Sequence, residues 1–388
     1  MDVSVKRMKP NFRPDNPRFS SGPCTKRPGW TPDALKNALI GRSHRSRDAK
    51  RVLKEAVELT RKVLGLPGDY RIAFMPASDT GAMEAALWTM LGSRPVDVLA
   101  FESFGQGWAR DITDHLKLKD ARVLSAPYGE LPDLKQVNPK HDLVFTWNGT
   151  TSGVRVPDGD FISDAREGIV VCDATSAIFS VALPWEKIDA LTYSWQKALG
   201  GEAQHGTLIL SPRAIARLES WTPPWPVPKI FRLTKKGKVD PAVFEGNTLN
   251  TPSLLVVEDY LDALRWAESV GGVQGMQART LANAEKIWEW VARTPWIENL
   301  AADPATRSTT SISLKIVDRW FAAKPLEEQW TLVKKMAALL EAEGAAFDIA
   351  NHPDAPPGLR IWAGATVEGA DLEALFPWLE WAFSEIRK

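Results

Sequence analysis

The chain has 388 residues, 44% of them hydrophobic, which suffices for a large core and, at roughly 100–200 residues per domain, for two or three domains; two are expected. Lysine plus arginine and aspartate plus glutamate both number 48, so the formal charge is zero and no bulk field favours nucleic acid or an anionic membrane. The two cysteines, Cys24 and Cys172, stand far apart without metal-ligand spacing, which argues against a disulfide framework and a metal site and for a reducing cytoplasm.

Met1 to Phe19 mixes Lys6, Arg7, Lys9, Arg13 and Arg18 with three prolines and lacks the apolar core of a signal peptide. It reads as an extended arm, placed to lie on a partner subunit. No later stretch approaches the roughly 20 apolar residues needed to cross a bilayer. From Arg51 to Leu64, Val52, Leu53, Val57, Leu59, Val63 and Leu64 recur at helical spacing. Short apolar runs follow at Ile72–Met75, Val96–Phe101, Leu143–Trp147, Ile169–Cys172, Leu191–Tyr193 and Thr207–Leu210, each with small or polar residues and then an amphipathic segment behind it. Strands alternating with helices predict an α/β fold, a mostly parallel sheet covered on both faces. Trp221 to Pro228 carries too many prolines for a helix or central strand and is expected to be a loop packed by its tryptophans. After Pro252 a long helical pattern begins, and long helices then alternate with short strands near Ser311–Ile316 and Leu359–Trp362, which suggests a second, smaller α/β domain.

Ligands of open α/β sheets collect beyond the carboxyl ends of the strands, and the chemistry-bearing residues cluster there. Lys197 follows one strand and precedes a glycine pair; Asp173 ends another. A lysine that can carry an aldehyde as an imine, with a carboxylate that can keep a pyridine nitrogen protonated, points to pyridoxal phosphate. Ser78, Asp79 and Thr80 open an apolar helix, where backbone N–H groups suit a phosphate, although Ser78 or Asp79 as an ordinary N-cap is the plainer reading of that segment alone. Trp108 offers a face for ring stacking or is a buried loop anchor. Thr150, in a run of hydroxyl and amide residues, and Gln196 could reach the cofactor; Ser176 could support Asp173; His205 reads as structural.

Phe19–Cys24, Ser43-His44-Arg45, Gly107-Trp108, Asp173–Ser176, Ser194–Lys197, Asn250-Thr251-Pro252 and Gly358-Leu359-Arg360 occur in the order seen in phosphoserine aminotransferases. The chain resembles that family, of the class V branch of the aspartate-aminotransferase-like fold, over nearly its whole length, and is most similar to the divergent form of some bacteria and archaea. The resemblance implies a large domain with a mostly parallel seven-stranded sheet (19–265), a smaller C-terminal α/β domain (266–388) and an N-terminal arm (1–18). It implies a cytoplasmic homodimer whose active sites are shared between subunits. Lys197 would be the Schiff-base lysine, Asp173 the partner of the pyridine nitrogen and Trp108 the stacking ring. Ser78, Asp79, Thr80, Thr150 and Gln196 would hold pyridoxal phosphate within one chain, and Asn250 and Thr251 would reach its phosphate from the other. Arg45, with His44 beside it, and Arg360 match arginines that bind substrate carboxylates, a task suited to the guanidinium fork; Arg42 or Arg47 could stand in for Arg45. His352 lies where the family carries a His-Arg pair for the substrate phosphate, but Pro353 stands in place of that arginine.

The activity implied is ping-pong transfer of an amino group between glutamate and 3-phosphohydroxypyruvate, giving O-phospho-L-serine and 2-oxoglutarate in L-serine biosynthesis. Use of 4-phosphohydroxythreonine in pyridoxine biosynthesis is left open. A cysteine desulfurase would need a reactive cysteine on a mobile loop, and none follows Cys172. Alanine–glyoxylate transamination uses the same cofactor parts, and Ser43-His44-Arg45 and His352 weigh against it. A dimer that binds pyridoxal phosphate without catalysis is disfavoured by intact Lys197, Asp173 and Trp108.

Overall fold

Parallel strands covered by helices on both faces must be apolar on both faces, and those of the main sheet, one edge strand excepted, are buried along nearly their full length. The computed structural model describes residues 7–387; the first six residues of the expected arm, with Lys6, lie outside the described residues. Seven strands, β1 (Arg71–Pro76), β2 (Val96–Ala100), β3 (Ala121–Ser125), β4 (Asp142–Thr146), β5 (Val170–Asp173), β6 (Ala190–Ser194) and β7 (His205–Leu210), form one sheet in the order β1-β7-β6-β5-β4-β2-β3. All run parallel except β7, which is antiparallel to both β1 and β6. Six of the strands coincide with the predicted apolar runs to within a residue or two. β3 was not predicted, because it is an edge strand with a mixed pattern: Val123 is 44% exposed and Arg122 reaches across to Asp97.

The helix predicted from Arg51 begins earlier, as α1 (Arg47–Leu64), because Ser46 caps it by accepting from the Ala49 N–H, and a polar first turn carries no apolar periodicity. It ends at Gly65, whose φ of 63° suits a residue without Cβ. α2 (Ser78–Met90) is buried on nearly all sides and follows β1, while α3 (Ser103–Arg110) follows β2. The stretch Trp221 to Pro228 is irregular, as expected, and the indole N–H groups of Trp221 and Trp225 donate to the carbonyls of Leu91 and Trp88, each at 2.9 Å. α4 (Pro212–Ser220) precedes it.

Two long helices, α5 (Leu254–Ser269) and α6 (Gly272–Ala292), lead to a smaller antiparallel sheet of β8 (Ile297–Asn299), β9 (Ser311–Ile316) and β10 (Gly358–Trp362). Helices α7 (Leu326–Ala342) and α8 (Gly369–Ile386) complete this unit, and stacked rings, Trp290 on Phe376 and Trp296 on Phe383, fill its core. β8 is too short to show a period. The N-terminal segment lies on this unit of its own chain rather than reaching away. Lys9 and Arg13 pair with Glu343, the Trp378 indole donates to the Phe12 carbonyl, and the Phe347 and Trp362 amides donate to the carbonyls of Pro17 and Phe19.

Candidate active site

The register of the main sheet sets Thr146 and Asp173, at the carboxyl ends of β4 and β5, side by side with Thr192, two residues before the end of β6. From β1 the chain turns into α2 through two consecutive left-handed residues, Ala77 at φ 63° and Ser78 at φ 55°. Such conformations cost about 1–2 kcal/mol per non-glycine residue, and they cluster where function over-determines the backbone. Their effect is to aim the start of α2 at the same sheet edge. The Ser78 amide is taken by the Gln204 carbonyl and that of Gly81 by Ala77, whereas no side chain caps the helix. The amides of Asp79 and Thr80, two residues that line the cavity described next, have no acceptor among the described residues, an arrangement suited to an anion.

A cavity of about 180 Å³ opens here, and Ser78, Asp79, Thr80, Trp108, Thr150, Asp173, Gln196 and Lys197 all line it. Lys197 is 9% exposed, and its Nζ donates to the Ser21 carbonyl, which the N-terminal segment carries in beside the cis Gly22-Pro23 bond. Gly22 packs so closely on Lys197 that any Cβ at that position would collide with Nζ. Asp173 accepts from the Trp108 indole N–H at 3.1 Å and from the Thr175 amide at 2.9 Å. Thr150 and Ser176 share a hydrogen bond at 2.5 Å, so Ser176 supports Thr150 rather than Asp173. His205 is a core residue: its Nε2 accepts from the Ser253 amide and its ring leans on Trp195.

Burial dominates the electrostatics. It pulls the Lys197 amine below its ordinary pKa, with Arg360 pushing the same way, so a neutral amine is more accessible than in water. Burial also raises Asp173, against the opposing pull of Thr175, Trp108 and Lys197. Arg360, on β10, is held below its usual value by burial; its Nε is buried without a hydrogen-bond partner, and no ion pair engages its guanidinium among the described residues. A half-buried guanidinium near Lys197, without an ion-pair partner among the described residues, is a ready carboxylate receptor.

The remaining candidates lie apart from the cavity. His352 is half-buried at a polar corner, where its Nδ1 accepts from the Asp354 amide and lies 3.3 Å from the Ser103 hydroxyl, itself bonded to Tyr128 and Asp354. His44 and Arg45 sit in the segment before α1, Arg45 exposed, and Asn250 and Thr251 precede α5; the structure does not bring these four to Lys197 of the same chain. Sequence reasoning missed Glu102. It is fully buried, accepts from the Gly105 amide at 2.6 Å and the Thr151 hydroxyl at 3.0 Å, and is pushed up to about 7 by burial. Its only signal was its place before a helix, which reads as an N-cap. Among the described residues, no cluster of histidine, cysteine, aspartate or glutamate could hold a metal ion, and no helix is long and apolar enough to cross a membrane.

The cavity can be tested against the cofactor that the sequence implies. Gln196 Oε1, Asp79 Oδ1, Thr175 Oγ1, Thr146 Oγ1 and Asn148 Nδ2 are all buried around it without hydrogen-bond partners. Buried polar groups seldom stay unpaired. The lining demands a polar occupant, and it offers an amine for an aldehyde, a carboxylate for a ring nitrogen, an indole for a ring face and open helix amides for a phosphate. Pyridoxal phosphate fits that donor set.

The sheet, the turn into α2 and this constellation suit a pyridoxal-phosphate-type transferase, and residues 35–335 match the Aminotransferase class-V family, to which the chain belongs. It is 54% identical, over 98% of its length and 100% of theirs, to the phosphoserine aminotransferases of Methanosarcina mazei and Methanosarcina barkeri. Among solved structures it shares its fold with a phosphoserine aminotransferase from Cytophaga hutchinsonii (TM-score 0.77, 20% identity, 94% of this chain and 98% of that one). The same fold is seen in alanine–glyoxylate aminotransferase from Nostoc sp. (TM-score 0.75, 17% identity, 97% of each chain).

Proposed function

We propose that this protein is a pyridoxal-phosphate-dependent phosphoserine aminotransferase, which moves an amino group reversibly between glutamate and 3-phosphohydroxypyruvate to give O-phospho-L-serine and 2-oxoglutarate. The observation that carries the reading is the meeting of Lys197, Asp173 and Trp108 in one polar cavity, with the unpaired Arg360 near the lysine. The 54% identity to two phosphoserine aminotransferases selects the substrate pair over glyoxylate.

On this reading Lys197 would hold the cofactor, Asp173 would serve its ring nitrogen and Trp108 its ring face, and Thr150, Gln196 and the start of α2 at Ser78, Asp79 and Thr80 would receive its oxygens. Bound there, pyridoxal phosphate supplies an electron sink that lets the substrate Cα give up a proton. The depressed Lys197 Nζ is the base that takes this proton and later returns it. Arg360 fixes the substrate α-carboxylate and orients the Cα–H bond toward the lysine. Asp173, kept in place by Trp108 and Thr175, stabilises positive charge at the ring nitrogen.

His44, Arg45, Asn250 and Thr251 lie away from their own cavity and would complete that of a second copy, making the working unit a homodimer with shared sites. His352, which lies apart from the cavity, is assigned to the distal end of the substrate by the resemblance alone. We retain an arm (1–18), a large unit (19–265) and a small unit (266–388) as the working division. The two free, buried cysteines fit a reducing cytoplasm.

The test is a half-reaction. Protein reconstituted with pyridoxal phosphate is mixed with glutamate while its visible absorbance is followed, and 3-phosphohydroxypyruvate or glyoxylate is then added. Bleaching reversed by 3-phosphohydroxypyruvate alone is the expected result; reversal by glyoxylate alone would replace the substrate assignment, and no bleaching would remove the transaminase reading. Co-expressed Lys197→Ala and Arg45→Ala chains should regain activity that neither has alone, because a mixed dimer then holds one intact site.

A further inference from the structure

The cavity holds two carboxyl groups, and the mechanism uses only one. We infer that Asp79 and Asp173 share a single proton that resides on Asp79, making Asp79 a positioning residue whose O–H donates to Asp173 and keeps the anion on Asp173 where the ring nitrogen would stand. The inference rests on the cofactor reading above and goes beyond it, since that reading asks of this segment only that it receive a phosphate.

Geometry assigns the proton. Asp79 is 7% exposed and Asp173 4%, and both line the cavity. Although Asp79 stands in the first turn of α2, its carboxyl faces Asp173 and the hydroxyls of Thr192 and Thr175. Oδ1 of Asp79 is buried without a hydrogen bond, and no cation pairs with its carboxylate among the described residues. Asp173, by contrast, already has two N–H donors, the Trp108 indole and the Thr175 amide, and feels Lys197 as a counter-charge. Of two adjacent carboxyls only one can ionise cheaply in a dry site, and the anion settles where donors and a cation already support it. The other titratable groups near the pair are Glu102 before α3, which acts on Asp173, and the buried, neutral thiol of Cys172 on β5; Arg360 on β10 acts on Lys197 and Glu102 instead. None of them offers Asp79 a partner. Burial, with Asp173 second, lifts Asp79 well above the carboxylate range, in keeping with this assignment.

The role differs from phosphate binding in a checkable way. The open amides of Asp79 and Thr80 would serve the phosphate whatever the Asp79 side chain is, whereas the side chain acts on Asp173. A protonated carboxyl has its own C=O infrared band, separate from that of a carboxylate and shifted in heavy water. Glu102, which titrates at about 7, would contribute a second such band, so spectra are taken near pH 8.5, where that group is mostly ionised.

The experiment compares the infrared spectra of wild-type protein and Asp79→Asn, without cofactor and with pyridoxal phosphate bound, and measures cofactor affinity for wild type, Asp79→Asn and Asp79→Ala. The expected result is a protonated-carboxyl band in wild type that is absent in Asp79→Asn. Asp79→Ala should bind pyridoxal phosphate about 10- to 100-fold more weakly, from loss of a hydrogen bond to a charged group, and Asp79→Asn should recover most of that loss because its amide still donates. A band that survives in Asp79→Asn, or its absence from wild type, would overturn the assignment. So would equal weakening by Asn and Ala. The cofactor-free spectrum tests the carboxyl pair even if no pyridoxal phosphate binds, so failure of the proposed function remains distinguishable from failure of this inference.

Discussion

The two ends of the main sheet treat buried charge in opposite ways. At the amino ends of the strands every buried carboxylate has an arginine: Asp97 on β2 binds Arg122 and His141, Asp142 on β4 takes both guanidinium nitrogens of Arg217 at 2.7 and 2.9 Å, and Asp189 before β6 meets Arg166 and Arg213. At the carboxyl ends Asp79, Glu102, Asp173 and Lys197 are buried to a similar degree, with Arg360 of β10 half-buried beside them, yet none forms an ion pair among the described residues. Pairing at one end holds strands and helices in register. Leaving charges unpaired at the other costs stability and preserves groups whose partners arrive with a ligand.

The difference is sharpest for Lys197. Lys197→Ala should lower transamination by at least about 10³-fold, the scale of a lost acid–base group together with the lost anchor. Its thermal midpoint should not fall, because the substitution removes a buried amine that bonds only to a backbone carbonyl. A variant both inactive and markedly destabilised would show Lys197 to be structural.

Arg217 and Arg360 carry the comparison from one end of the sheet to the other. Arg217→Met strands Asp142 in the core and should cost about 3–5 kcal/mol in urea unfolding, the penalty for breaking a buried pair from one side. Arg360→Met removes a cation that has no partner, so stability should hold or rise, while kcat/KM for glutamate should drop about 10²- to 10³-fold. If both variants lose stability alike, the two ends do not differ in kind.

Much of the fold and part of the site can be read in the sequence, for reasons that particular residues show. The strands around Val98, Val144 and Val171 are buried on both faces and so are written as apolar runs; Ala121–Ser125, at an open edge, carries Arg122 and Ser125 beside an exposed Val123 and is not. Lys197 and Asp173 could be singled out because each stands at the end of an apolar run, and Trp108 because an aromatic follows another such run; the structure sets Trp108 in α3 and brings all three to one cavity. The N-terminal segment was expected to leave its chain, and its contacts with Glu343 and Trp378 arise from tertiary packing that no local pattern encodes. For the same reason the Asp79 carboxyl, legible only as the start of a helix, could not be seen to face Asp173. Nor could the unpaired state of Arg360, since a lone arginine in a strand reads the same whether or not an acid lies opposite.

Glu102 offers the smallest and most selective test of the unpaired end. Its pKa is raised from 4.5 to about 7 by burial, so the folded protein holds this proton more tightly than the unfolded chain does. Stability from that preference is fully present below pH 4.5 and is lost as pH rises through about 7; the full span is about 3 kcal/mol. Glu102→Gln keeps an oxygen for the Gly105 amide and cannot titrate, so its stability should lack the wild type's decline over this window, as read from urea midpoints across the pH range. Because the Glu102 carboxylate also supports the Arg360 cation, the variant should bind glutamate somewhat more weakly above pH 7 and about equally below it. Parallel stability curves for the two proteins would mean that Glu102 is already ionised in the fold, and the carboxyl end of the sheet would then hold one more compensated charge than its geometry indicates.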